Sequence, residues 1–150
     1  MNAPTSTSTP ELTERAARLR LAITRTARRM RQEAGAELGP SAVAALATIE
    51  RAGPLTPSEL AKHERVQRPT ATRVLARLAE EGLVERTADP TDRRCSIVTI
   101  TAEGRALLKR LRSRKNAYLA RRMRKLPDDD VATLERAAEI LERVLEEDSA

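Results

Sequence analysis

Between Thr56 and Thr101 the apolar residues change their spacing from the three-to-four of a helix to the two of a strand, and the change falls at a single glycine, Gly82. Thr56-Pro57-Ser58-Glu59 predicts a helix start. The Thr56 hydroxyl can cap, Pro57 suits the first helical position, and Glu59 can bond back to complete a capping box. A second helix is predicted from Arg68-Pro69, where Ala71, Val74, Leu75 and Leu78 recur at i, i+3, i+4 and i+7 and form one core-facing stripe. Gly82 ends it, and Leu83-Val84-Glu85-Arg86-Thr87 then alternates apolar and polar as a half-buried strand does. Cys95 to Thr101 supplies a β-branched partner strand, with Val98 and Ile100 on one face and Ile97 and Thr99 on the other. Two short helices followed by a charged hairpin make the order of a winged helix-turn-helix.

The face of the second helix that lies off the apolar stripe carries Arg68, Thr70, Thr72, Arg73 and Arg77, preceded by Gln67, and no Asp or Glu occurs between Arg65 and Ala79. Its cations are therefore free of local neutralisation. An α-helix fits the major groove, arginine can pair with both acceptors of a guanine edge, and threonine can meet a phosphate or a thymine methyl. The hairpin loop, Ala88-Asp89-Pro90-Thr91-Asp92-Arg93-Arg94, begins with turn formers and ends in two cations, as expected of a wing that lies along phosphates or enters a minor groove. The whole segment from Pro54 to Thr101 holds eight basic and seven acidic residues, net +1. Its acids flank the helix at Glu59, Glu64, Glu80, Glu81 and Glu85 and leave the predicted groove face bare. Modest nonspecific affinity with steep salt dependence is the expectation.

Taken in order, Leu60-Ala61, Val66 to Val74, Leu78, Glu81-Gly82-Leu83-Val84, Asp89-Pro90-Thr91-Asp92-Arg93-Arg94 and Thr101-Ala102-Glu103-Gly104 resemble the MarR family of multiple-antibiotic-resistance regulators, over essentially the whole chain from Glu11. The resemblance implies a homodimer that binds a pseudo-palindromic operator, usually as a repressor, and often lets it go when a small molecule binds. It places Arg68, Pro69, Thr70, Thr72, Arg73 and Arg77 in a recognition helix and Asp92, Arg93 and Arg94 at the wing. One of the two wing arginines would reach DNA, while Asp92 and the other hold the loop. It also implies effector sites between the dimerisation helices and the reading unit. Tyr118 and His63 are the candidates for effector contact, and the arginines nearby favour an acidic ligand.

The rest of the chain reads as helical, so the expected fold is mainly α with a small β-hairpin wing. Four parts are predicted: a Ser/Thr/Pro-rich disordered tail over residues 1–10, supporting and dimerising helices over 11–53, the reading unit over 54–101, and C-terminal dimerisation helices over 102–150. Leu12, Ala16, Leu19, Ile23, Ala27 and Met30 keep a helical period, and Leu38, Val43, Leu46 and Ile49 form a shorter stripe before Gly53-Pro54. Thr101 caps a long helix that Pro127 interrupts. Val131, Leu134, Ala138, Leu141 and Leu145 then space like a coiled-coil seam. Charge is segregated along this region: ten basic residues against one acid from Ala102 to Leu126, net +9, and two basic against nine acids from Pro127 to Ala150, net −7. The acidic stretch is expected to neutralise much of the basic run, which argues against that run as the main DNA contact.

Composition excludes several classes. The aromatic content is Tyr118 alone, so the core must be built from aliphatic residues and is thin enough that burial against a partner subunit would help it. One cysteine and one histidine exclude a disulfide framework and leave a His/Cys zinc site improbable. Cys95 could sense oxidation, but a small residue packed beneath a wing needs no thiol chemistry. There is no nucleophile elbow and no glycine-rich phosphate loop among only five glycines, and no cofactor is implied. The expectation is a non-enzyme. No apolar run spans a membrane and no leader pattern opens the chain, so a cytoplasmic protein with double-stranded DNA as its partner is predicted. A helical protein-interaction module and a non-specific architectural DNA-binding protein are the alternatives.

Overall fold

The structure, a computed structural model, describes residues 8–147. Six helices and one hairpin follow in the order α1 (Thr9–Ala34), α2 (Pro40–Ala52), α3 (Pro57–Glu64), α4 (Arg68–Glu80), β1 (Val84–Ala88), β2 (Ser96–Ile100), α5 (Ala102–Met123) and α6 (Asp128–Glu147). Residues 1–7 of the expected tail lie outside the described residues, and α1 is already helical at Thr9 and Pro10, two residues before Glu11.

The core lies where α2, α3, α4, the hairpin and the first half of α5 converge. Leu46, Ile49, Leu60, Leu75, Leu78, Val98 and Leu108 are its fully buried side chains, all aliphatic. The α4 stripe behaves as its spacing predicts: Ala71, Leu75 and Leu78 are buried and Val74 packs at the margin. Thr48 is the buried polar residue among the described ones, and its hydroxyl donates to the Glu64 carboxylate at the end of α3. That bond ties α2 to the reading unit without leaving a polar group unsatisfied.

Local chemistry sets the boundaries. At α3 both halves of the capping box form: the Glu59 amide donates to Thr56 Oγ1 at 3.2 Å and the Thr56 amide to Glu59 Oε2 at 2.8 Å. Arg65 then adopts the left-handed region, φ 53° and ψ 42°, to turn the chain sharply into α4. Gly82, at φ 71°, closes α4 with a Schellman motif, its amide bonded to the Ala79 carbonyl and the Leu83 amide to that of Leu78.

The hairpin is antiparallel and runs in register from Val84 opposite Ile100 to Ala88 opposite Ser96. Leu55 adds a third, one-residue rung: its amide and carbonyl pair with those of Val98 at 3.1 and 2.7 Å. Val84 is buried, but Glu85 to Ala88 are all exposed, so β1 lacks the half-buried alternation that its sequence suggests. The reason is geometric. Only the base of the hairpin touches the core, and its outer part projects beyond it.

At that base Thr101 holds three connections. Its hydroxyl donates to the Gly82 carbonyl at 2.7 Å and accepts from the Gly104 amide at 3.1 Å, while its own amide bonds to the Leu83 carbonyl at 3.1 Å. Gly104 sits so close to this crossing that a Cβ would lie 2.3 Å from the Leu83 carbonyl oxygen and 2.7 Å from Ile100 Cγ1. The Thr-x-x-Gly spacing thus locks the wing to the start of α5.

Outside the core the chain is open. Leu12, Leu19, Leu21 and Ile23 on α1 and Leu134, Ile140 and Val144 on α6 are more than two-fifths exposed. On α6 the most covered apolar side chains among the described residues, Val131, Ala137 and Leu141, are half-buried.

Candidate nucleic-acid interface

The first turn of α4 and the loop of the hairpin both extend outside the core, and their side chains form the candidate interface. Gln67 is the N-cap of α4 and makes no side-chain capping bond. Arg68, Pro69, Thr72 and Arg73 are exposed. Among the described residues neither the Arg68 nor the Arg73 guanidinium has a hydrogen-bond or ion-pair partner, so each is available to an outside acceptor. Thr70 is half-buried and lines a cleft of about 330 Å³ between α2, α3 and α4, with Ser41, Glu64 and Val66.

Arg77 differs from the expectation of an un-neutralised cation. Its Nε is 3.2 Å from Glu81 Oε1, an i,i+4 pair on the exposed side of the helix. Glu81 lies outside the acid-free window but within one turn of Arg77. The free cationic face is therefore concentrated in the N-terminal half of α4.

The wing is held by its two aspartates. Asp89 Oδ1 accepts from the Thr91 amide at 2.9 Å and the Thr91 hydroxyl at 2.8 Å, which hold its carboxyl below the usual aspartate range. Asp92 Oδ1 accepts from the Arg94 amide at 3.0 Å, and the Asp92 carbonyl from the Cys95 amide at 3.0 Å. Arg94 thus contributes to loop closure through its backbone. Both wing guanidinium groups project from the loop, with no partner among the described residues.

Cys95 is exposed and not packed beneath the wing. The negative charge of Asp92, then burial, then a bond from Sγ to Asp92 Oδ2 at 3.7 Å push its thiol up from the ordinary value. Arg68 acts in the opposite sense and is outweighed. A raised thiol is a poor nucleophile toward oxidants. His63 is exposed on α3 and borders none of the clefts described here. Among the described residues no group of three His, Cys, Asp or Glu is placed to hold a metal, and no helix is long and apolar enough to cross a membrane.

The basic run of α5 is neutralised from a different direction than its sequence suggests. Arg110 and Arg114 both pair with Glu37, at 3.2 and 2.9 Å, and Arg112 with Glu50 at 3.0 Å. Among the described residues no α5 cation pairs with an acid of α6. The two arginines hold the Glu37 carboxyl below its usual range, Arg114 foremost.

Sequence reasoning did not single out a cleft of about 490 Å³ between the end of α1, the start of α2 and α5. Ala27, Met30, Leu38, Val43 and Leu111 give it apolar walls, and Arg31 and Lys115 charge its rim. Arg114 bonds to the Ala34 carbonyl at 2.9 Å beside it. Tyr118 lies outside that cleft, half-buried under the Arg122 guanidinium at 5.5 Å from its ring centre.

A helix pair joined by a tight turn, followed by a projecting hairpin, with unpaired arginines on the second helix and at the hairpin tip, is a winged helix-turn-helix. The family model described as the MarR family matches residues 38–96. An HTH-type transcriptional regulator of Mycobacterium leprae is 35% identical over 130 residues, which cover 86% of this chain and 91% of that one. A transcriptional regulator protein from Pseudomonas aeruginosa superposes with a TM-score of 0.82 at 33% identity, over 93% of this chain and 99% of its own. A mutant MarR from Escherichia coli, solved in complex with operator DNA, gives a TM-score of 0.64 at 26% identity, over 87% and 95%. The chain belongs to the MarR family, whose members are transcriptional regulators and not enzymes.

Proposed function

We propose that the protein is a homodimeric repressor that sets two copies of α4 into successive major grooves of a pseudo-palindromic operator and releases it when a small acidic molecule binds. The single observation that carries the DNA reading is the state of the α4 face. Arg68, Thr72 and Arg73 are exposed together and neither arginine has an acidic partner, an arrangement that costs stability in an isolated protein and gains a counter-charge on DNA. The wing adds Arg93 and Arg94 on a loop whose shape is fixed by Asp89 and Asp92, suited to phosphate contact beside the groove. Gln67, Pro69 and Thr70 frame the start of the helix, and Arg77, drawn toward Glu81, takes a lesser part.

In this reading residues 54–101 form the reading unit, and 11–53 with 102–150 the dimerisation and support module. The exposed leucines and isoleucines of α1 and α6 supply the apolar surface for a second copy. The cleft at α1, α2 and α5 is a better effector site than Tyr118 or His63. It is apolar, large enough for a small ligand, and rimmed by Arg31 and Lys115, which suit a carboxylate. A ligand there would bear on the Arg114 tether between α5 and α1 and so alter the spacing of the two α4 helices. DNA as partner places the protein in the cytoplasm.

The test is Arg73→Ala in a mobility-shift titration on operator and scrambled DNA. A loss of about 1–3 kcal/mol confined to particular operator bases is expected. Equal weakening on every sequence would reduce Arg73 to a phosphate clamp.

A further inference from the structure

The cleft of about 330 Å³ between α2, α3 and α4 has the make-up of a ligand site of its own. Leu60, Val66 and Val74 give it apolar walls, and Ser41, Glu64 and Thr70 bring polar side chains to it. Val66, in the turn between α3 and α4, is 40% exposed, an aliphatic side chain left open to water at the cleft. Glu64 is half-buried at the end of α3, where a carboxylate is costly to leave without a counter-charge. One of its oxygens accepts from the buried Thr48 hydroxyl; among the described residues the other makes no hydrogen bond, and no cation pairs with the carboxylate. The Ser41 and Thr70 hydroxyls make no hydrogen bond among the described residues either. A largely apolar hollow with a few convergent polar groups, one of them an unneutralised carboxylate, suits a ligand with an apolar body and a cationic donor.

We infer that this cleft binds a small organic ammonium ion with a one-ring apolar body, its N–H groups donating to the open Glu64 oxygen and to the Thr70 hydroxyl. The cleft is at the small end of the range for ligand sites, which limits the body to a single ring. Its occupant bridges α2 to the first half of α4, the helix that reads DNA in the function proposed above. The site selects the opposite charge from the acidic-effector cleft, although Pro40 and Ala44 of α2 line both. It does not depend on the repressor reading, since every group that it uses belongs to one subunit and none requires DNA.

The test is isothermal titration calorimetry of the full chain, without DNA, against 2-phenylethylamine, which is protonated at neutral pH as a lysine is, and against 2-phenylethanol as its uncharged counterpart. The amine should bind with a Kd of about 1 mM or tighter, and the alcohol about tenfold more weakly or worse. Glu64→Gln removes the charge but keeps an acceptor for Thr48, and Val66→Lys sets a like charge at an exposed position of the wall; each should weaken the amine about tenfold. Far-ultraviolet circular dichroism checks that both variants keep their helix content. An amine that binds no better than the alcohol, or that binds both folded variants as tightly as wild type, would overturn the site. Displacement of the amine by 3-phenylpropionate would place it in the acidic-effector cleft instead and overturn the site as well. None of these failures touches the repressor reading, which stands or falls on the Arg73→Ala titration.

Discussion

Replacing Gly104 by alanine should unfold the junction between wing and α5, although the same exchange in an ordinary exposed helix stabilises by about 0.5–1 kcal/mol. The added Cβ would stand 2.3 Å from the Leu83 carbonyl oxygen and 2.7 Å from Ile100 Cγ1, against an ordinary contact of about 3.4 Å or more. Either α5 or the β1 entry must therefore shift by roughly 1 Å. The Ile100 methylene can swing aside. The Leu83 carbonyl cannot, because it accepts the Thr101 amide at 3.1 Å and fixes the hairpin base. Overpacking of this kind costs about 1–3 kcal/mol, and a backbone obstacle places it at the upper end. At about 2–4 °C per kcal/mol for a chain of this size, Tm should fall by roughly 6–12 °C at fixed protein concentration. Thermal melting followed at 222 nm measures it. An unchanged or raised Tm would mean that the Thr101–Gly104 crossing is looser than the geometry implies.

Three further outcomes follow from the same bonds. The Glu37 carboxyl, held below 4.5 by Arg114 and Arg110, contributes stability that is present above pH 4.5 and disappears as pH falls through its lowered value; Glu37→Gln should therefore melt below wild type at pH 7, with the gap closing progressively as pH falls below 4.5. Arg65→Asn should raise Tm by roughly 1–4 °C, since asparagine tolerates the left-handed conformation better by about 0.5–1 kcal/mol and Arg65 makes no side-chain bond among the described residues. Asp92→Asn should speed alkylation of Cys95 by iodoacetamide severalfold at pH 8, because the carboxylate that pushes the thiol up is gone; an unchanged rate would assign the raised thiol to burial.

Features whose bonds close within a few residues were legible in the sequence. The Thr56/Glu59 capping box, the α4 stripe and the Gly82 stop each span about two turns or less, so residue spacing alone specified them. Features that join distant segments were not. The rung between Leu55 and Val98, the salt bridges from Glu37 and Glu50 to α5, and the cleft at α1, α2 and α5 depend on how helices pack, which no local pattern encodes. The acids of α6 looked like partners for α5 because they adjoin it in sequence, but adjacency does not set the direction in which α6 leaves Pro127. Arg77 is a different kind of miss. Glu81 stood one turn away and its pairing could have been read from i,i+4 spacing. Thr-x-x-Gly is intermediate: it is visible as a motif, but its cause, the close approach of Leu83 to Gly104, joins segments about twenty residues apart and is not encoded in the spacing.

The central claim, that two α4 helices read a duplex together, is tested most directly by selecting binding sites from a random double-stranded DNA library. The account predicts enrichment of an inverted repeat whose half-sites are centred about one helical turn apart, with Arg73→Ala losing preference at the same base in each half. Recovery of unordered sequences, or of a lone half-site that binds as tightly as the repeat, would contradict it.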